Sequence, residues 1–377
     1  MQKTPFIVKS KTKSIQDAAR TVAQFDIKYV QYVDAEGQIV NELPGFTQDS
    51  SLMLSLYRAM KVSQVLEHKV SVLHRTGKFG TYPGCLGQEA VGAGAASCLT
   101  DQDMFVPYYR SAPELYMRGV KLHEILMYWG GFEEGSNFKD PRCRFDLPIP
   151  ICISSQLPHA AGVATAIKLR KQKNRAVLTF VGDGGTSEGD FYETVNAAGA
   201  WNLPLVIIIN NNRWALSEPN NKQTSCQTLA QKAIAGGIEG IQVDGNDVIA
   251  VRAVTEAAMQ KARQGGGATL IEALTYRLCA HTTVDDLTRY VDKSEHEQAL
   301  RQEPFRRLKK LLRDNGILDE DLERKIEQEI KQEVEAEVEI FLNAPLPPPE
   351  AMFDYLYAEL PERLREQRDE AIRRGDE

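Results

Sequence analysis

Apolar residues at helical spacing set in just after residue 50: Leu52, Leu56, Met60, Val65, Leu66 and Val70 share one face, with Asp49 or Ser50 placed to cap the first turn. This pattern predicts a long amphipathic helix. A second helix is expected to start near Gly87 and carries Ala90, Gly92, Gly94, Ala95 and Ala96, small residues that let helices pack closely. In the middle of the chain, strand-sized apolar runs at 176–181, 203–209 and 268–278 and a mixed run at 237–243 alternate with helical patterns at 188–200 and 248–263. Such alternation predicts an α/β fold with a doubly wound parallel sheet. Further on, Ile326, Ile330, Val334 and Val338 recur every four residues among glutamates and lysines, a single apolar stripe suited to core packing. Pro345 and the prolines at 347–349 then stop helix formation. The chain divides accordingly into an N-terminal extension (1–50), an α/β domain (51–345) and a C-terminal tail (346–377) that ends in a charged helix.

Composition narrows the function. Of 377 residues, 42% are hydrophobic and 26% charged, ordinary values for a globular protein, and no run approaches the roughly 20 apolar residues of a membrane helix. The net charge of -7 argues against nucleic acid as a partner and favours small-molecule chemistry. The six cysteines include no C-x-x-C pair, so neither a redox motif nor a zinc knuckle is visible. The amino terminus carries lysines at 3, 9, 11 and 13 but no signal-like apolar core, and a cytoplasmic location is expected.

The chemistry concentrates where strands end. The run at 176–181 leads into Gly182-Asp183-Gly184-Gly185-Thr186-Ser187, with Ser187 as a candidate cap for the following helix. At the carboxyl edge of a parallel sheet, such a turn suits an anion such as a diphosphate. The next strand ends in Asn210-Asn211-Asn212-Arg213-Trp214 and must finish at the same edge. A carboxylate, an amide oxygen and a backbone carbonyl make a hard-oxygen set suited to Mg²⁺. A Rossmann dinucleotide site fits less well, because the turn lacks the third glycine of G-x-G-x-x-G.

These residues resemble the thiamine diphosphate motif, GDG followed after nearly thirty residues by NN. The wider text, GDGGTSEGDFYE, NNNRWALS, GIQVDGNDV and the loop from Arg277 to His281, is similar to the alpha subunit of two-component 2-oxo acid dehydrogenases, closest to the pyruvate type, over nearly the whole chain. The segment Gly84-Cys85-Leu86 and Gly87-Gln88-Glu89-Ala90 also resembles the pyruvate group, whereas the tail at 353–367 is reminiscent of the branched-chain group.

The resemblance implies a thiamine diphosphate-binding fold in which Asp183, the side chain of Asn212 and the backbone carbonyl of Trp214 hold Mg²⁺, while Gly184 and Gly185 lie against the diphosphate. Trp214 replaces the usual tyrosine or phenylalanine. It further implies that Tyr109 and Arg110 bind the cofactor, with the arginine forking onto the diphosphate, and that Ile153 is the apolar wedge that bends the cofactor. His281 is expected on an active-site loop as the catalytic residue assisting reductive acylation, where a cationic imidazole would also stabilise an oxyanion, and Arg277 as the residue ordering that loop. Implied partners are a beta subunit supplying the other half of the site in an α₂β₂ assembly, a lipoyl acyltransferase core and a small 2-oxo acid. Two alternatives stand beside this one: a branched-chain 2-oxo acid dehydrogenase alpha subunit, and a non-catalytic structural or regulatory subunit that retains the fold.

Overall fold

A computed structural model describes residues 19–375, so the expectations attached to the lysines at 3, 9, 11 and 13 lie outside the described residues. Six parallel strands form the central sheet: β1 (Lys28–Val30), β2 (Met104–Val106), β3 (Val177–Gly182), β4 (Leu205–Asn211), β5 (Glu239–Asp244) and β6 (Thr269–Leu274), in the order β1-β5-β6-β4-β3-β2. The alternating pattern of the sequence corresponds to this doubly wound sheet. β3 and β4 are buried on both faces, which is why they read as continuous apolar runs. Val177, Val181, Leu205, Ile207 and Ile209 point to one core layer, and Leu178, Phe180, Val206 and Ile208 to the other. The first layer is covered by α3 (Gln156–Leu169) and α4 (Gly189–Ala200), the second by α1 (Ser50–Arg75), α2 (Glu89–Ala96) and α5 (Val248–Arg263).

Local chemistry accounts for the boundaries. Asp49 caps α1 by accepting from the Ser51 and Leu52 backbone N–H groups. Gly87 has φ of +87°, and a Cβ there would lie 2.1 Å from the Tyr276 carbonyl oxygen, so the chain needs glycine to turn into α2. β6 ends at Leu274 rather than at residue 278, because its neighbours stop there: Leu274 is opposite both Asn211 and Asp244, the last residues of β4 and β5. Part of the segment expected as an N-terminal extension joins the sheet. β1 pairs with β5, and Asp247 accepts from the Tyr32 and Val33 backbone N–H groups just beyond it.

The apolar stripe near the end is core. α6 (Pro304–Asp314) and α7 (Glu320–Leu342) pack over α1, and Ile326, Ile330, Val334 and Val338 are all buried in the same cluster as Leu56, Met60 and Leu66. No helix among the described residues is long and apolar enough to cross a membrane. Ile330→Ala should lower the unfolding free energy by about 2–5 kcal/mol. Ile340→Ala, on the exposed side of the same helix, should change it by less than about 0.5 kcal/mol. Urea unfolding of the two variants checks the contrast, and equal midpoints would mean the stripe is not core.

Candidate active site

β3 and β4 run side by side, Gly182 opposite Asn210, so Asp183 and the asparagines emerge together at the carboxyl edge. Each asparagine has its own task. Asn210 donates to the Tyr108 hydroxyl at 2.9 Å and Asn211 to Glu272 at 2.7 Å, while Asn212 accepts the Trp214 backbone N–H at 3.1 Å through Oδ1 and donates to Gln88 Oε1 at 3.0 Å through Nδ2. Arg213 takes a φ of +74° in the turn between Asn212 and Trp214.

Asp183 is 2% exposed. Its carboxylate accepts only long bonds from Asn220 (3.4 Å) and Gln223 (3.3 Å), both neutral amides. Burial therefore raises its pKa, the two amides offsetting part of the effect. A desolvated carboxylate of this kind fits a cation, and the same sheet edge carries the Asn212 Oδ1 and Trp214 carbonyl oxygens. The next residues form a single 3₁₀ turn, Gly184–Ser187, so the N-cap position of α4 falls to Glu188 rather than Ser187, and Glu188 makes no side-chain cap bond. Glycine at 184 and 185 is required by the protein itself: a Cβ at Gly184 would lie 2.6 Å from the Ala215 methyl, and one at Gly185 2.7 Å from Ser154 Oγ. At Gly182, by contrast, a Cβ would meet no atom within 4 Å, so open space lies at the strand end before Asp183.

Opposite in sign, Arg110 and Arg277 are 2% and 3% exposed, and both reach His281. Arg110 Nη2 lies 3.3 Å and Arg277 Nη1 3.4 Å from His281 Nδ1. Their other bonds go to the carbonyls of Gly84, His281, Trp214, Leu216 and Cys279 and to the hydroxyls of Tyr109 and Tyr290, with no carboxylate among them in the described residues. Two buried guanidiniums without an anionic partner fit a diphosphate. Because guanidinium only donates, His281 Nδ1 must accept, which places the imidazole proton on Nε2. Burial first, then Arg110 and Arg277, lower the His281 pKa to about 4. The expected cationic imidazole is thus corrected to a neutral one, since burial, and then the two guanidiniums, oppose a third positive charge.

Arg277 also orders the loop, as expected. It donates to Tyr290 Oη at 2.7 Å, Tyr290 donates to Asp285, and Asp285 accepts the His281 backbone N–H at 2.7 Å. The Trp214 ring is buried, its Nε1 donating to the Tyr276 hydroxyl at 3.2 Å, while its carbonyl accepts from Arg277 at 3.3 Å and keeps a second lone pair. Tyr109 lies under the Arg110 guanidinium, 5.2 Å from ring centre to Cζ. Ile153 is 49% exposed and lies beside Gly185, where a Cβ would stand 3.3 Å from its Cγ2. A cavity of about 850 Å³ behind Trp214 and Asn220 is lined by Tyr29, Asp244, Tyr276 and Arg307, and Asp183, Asn212 and His281 do not face it.

The Dehydrogenase E1 component family model matches residues 57–350. The chain belongs to this family. Two pyruvate dehydrogenase E1 component alpha subunits, from Staphylococcus aureus (strain Mu50) and Staphylococcus epidermidis (strain RP62A), are each 36% identical over 356 residues, covering 93% of this chain and 95% of theirs. Membership of the dehydrogenase E1 component family implies thiamine diphosphate as cofactor. Two polar residues escaped the sequence. Buried Lys232 donates to the Thr186 carbonyl (2.7 Å) and hydroxyl (2.9 Å), bracing the turn after Asp183, and Gln88 grips Asn212. Gln88 stands in the Gly87–Ala90 segment that carries the resemblance, but the roles of both residues are set by partners distant in the chain, which no local pattern reports.

His281 also makes stability depend on pH. Its folded pKa lies below its unfolded value of about 6.5, so this contribution costs nothing above that pH. The cost grows as the pH falls and is complete below about 4. Imidazole resonances of isotope-labelled protein should titrate near pH 4, and Arg277→Gln should move the midpoint upward. A wild-type midpoint at the ordinary histidine value would contradict the two-guanidinium arrangement.

Proposed function

We propose that this chain is the alpha subunit of a pyruvate dehydrogenase E1 component, which decarboxylates pyruvate oxidatively with thiamine diphosphate and Mg²⁺ and passes the acetyl unit to a lipoyl group on an acyltransferase core. The observation that carries this reading is the pairing at one sheet edge of a desolvated carboxylate, Asp183, with two desolvated guanidiniums, Arg110 and Arg277, that are in no ion pair among the described residues. The first suits a metal and the second a diphosphate. The names of the relatives support pyruvate as the substrate.

Asp183, Asn212 Oδ1 and the Trp214 carbonyl would hold Mg²⁺, and Arg110, Arg277 and Tyr109 would hold the diphosphate. Thiamine diphosphate supplies the nucleophilic carbon and the electron sink for decarboxylation. The half-exposed Ile153 would press between the cofactor's rings and keep it bent. His281, neutral with its proton on Nε2, would donate a hydrogen bond from Nε2 to the departing lipoyl sulfur and stabilise the negative charge that develops there. A beta subunit, in an α₂β₂ tetramer in the cytoplasm, would complete the site.

Coexpression with a beta-type partner and a panel of 2-oxo acids tests the reading. Pyruvate should be decarboxylated fastest, faster branched-chain acids would shift the assignment to that group, and no turnover of any acid would favour a non-catalytic subunit. Asp183→Ala should abolish Mg²⁺-dependent binding of thiamine diphosphate, followed by calorimetry, in a chain that still folds. His281→Ala should keep most decarboxylation with an artificial electron acceptor yet lose lipoyl acetylation by about 100-fold. Unchanged single-turnover acetylation would remove His281 from the chemistry.

A further inference from the structure

Gln88 occupies the N-cap position of α2 but makes no cap bond there. Its side chain is 2% exposed and turns instead toward the end of β4, where Oε1 accepts from Asn212 Nδ2 at 3.0 Å. The turn that carries it is fixed on both sides. Gly87 donates its N–H to Glu89 at 2.9 Å, Leu86 accepts from the Leu278 N–H at 3.0 Å, and Arg277 donates its own N–H to the Asn212 carbonyl at 3.2 Å. The turn that carries Gln88 therefore has a settled place. Gln88 Nε2 is buried and finds no partner among the described residues, so Asn212 is the one side-chain partner that the carboxamide has there.

An asparagine amide can turn over, presenting nitrogen where oxygen is needed. The Trp214 backbone N–H, which can only donate, fixes Oδ1 as its acceptor, and Gln88 Oε1 holds Nδ2 on the opposite side, so the two contacts together brace the Asn212 amide in this orientation. We propose that Gln88 is a positioning residue for the cation site: it braces the Asn212 amide so that oxygen, not nitrogen, faces the metal. This rests on the proposed role of Asp183 and Asn212 in holding Mg²⁺. Gln88 touches neither metal nor reacting atoms and acts through Asn212 alone.

The test uses the full chain coexpressed with its beta partner, titrated with Mg²⁺ at saturating thiamine diphosphate and followed by tryptophan fluorescence and calorimetry. Gln88→Met keeps the volume but loses the acceptor, and should raise the half-saturating Mg²⁺ concentration by about 10- to 100-fold, the usual range for a lost metal-ligand support. Gln88→Glu retains an oxygen for Asn212 and should return that concentration to within about threefold of wild type. In an Asn212→Ala background, Gln88→Met should add nothing further. If Gln88→Met folds poorly, Gln88→Ala takes its place in the same titration. Wild-type Mg²⁺ affinity in Gln88→Met or Gln88→Ala would overturn the proposal, as would equal losses in Gln88→Met and Gln88→Glu. Wild-type Mg²⁺ affinity in Asp183→Ala would instead overturn the cation site itself, so the two failures are told apart.

Discussion

Two guanidiniums buried against one imidazole, neither of them hydrogen-bonded to a carboxylate among the described residues, are the constraint around which the edge of this sheet is organised. Taking a charge out of water costs several kcal/mol unless polar groups replace the solvent. Here the replacement comes from backbone carbonyls. Arg110 draws in the Gly84 carbonyl, and Arg277 those of Trp214, Leu216 and Cys279, so each arginine ties a different loop to the strand ends. Carbonyl dipoles satisfy the hydrogen bonds without cancelling the charge. The positive field is preserved for an anion, and burial together with that field keeps His281 neutral.

Asp183 is the mirror image. Its carboxylate is held by two neutral amides, which again satisfy hydrogen bonds and leave the charge uncancelled. Had Asp183 met Arg277 directly, the ion pair would have closed on itself and left neither a metal nor a phosphate anything to bind. Keeping opposite charges close but separately solvated by dipoles favours a ligand that carries both signs, such as a metal diphosphate.

What the sequence made legible was what depends on local order. Residues 177–182 and 205–211 announce parallel strands because both faces are buried, and parallel pairing alone brings Asp183 and Asn212 out at the same sheet edge. Chain order also put His281 just past β6. Long-range electrostatics was not legible. The neutral state of His281 depends on Arg110, 171 residues away in sequence, and no local pattern reports that contact. The grip of Gln88 on Asn212 spans 124 residues and was hidden for the same reason. Ser187 failed as a cap because the turn at 184–187 is tighter than a helix, which moves the start of α4 to Gly189.

Ile153 shows how backbone conformation creates a surface that sequence hydrophobicity would bury. Ser154 has a φ of +65°, a left-handed conformation that costs a non-glycine residue about 1–3 kcal/mol. It is held there by its hydroxyl, which donates to the Gly185 carbonyl at 2.8 Å, and by Gln156, which donates to the Phe180 carbonyl at 2.6 Å. Those bonds reverse the chain beside the turn after Asp183 and leave Ile153 and Ile151 about half exposed. A buried isoleucine is worth about 1.5–3 kcal/mol more than an exposed one, so this loop gives up burial as well as adopting strain. Both costs fall next to Gly185, which the resemblance to the family puts against the diphosphate of the cofactor. An apolar side chain standing free there has a use only when something apolar closes over it. On the proposed function that cover is the cofactor's ring system together with the beta subunit, so cofactor binding and subunit assembly would bury the same isoleucine.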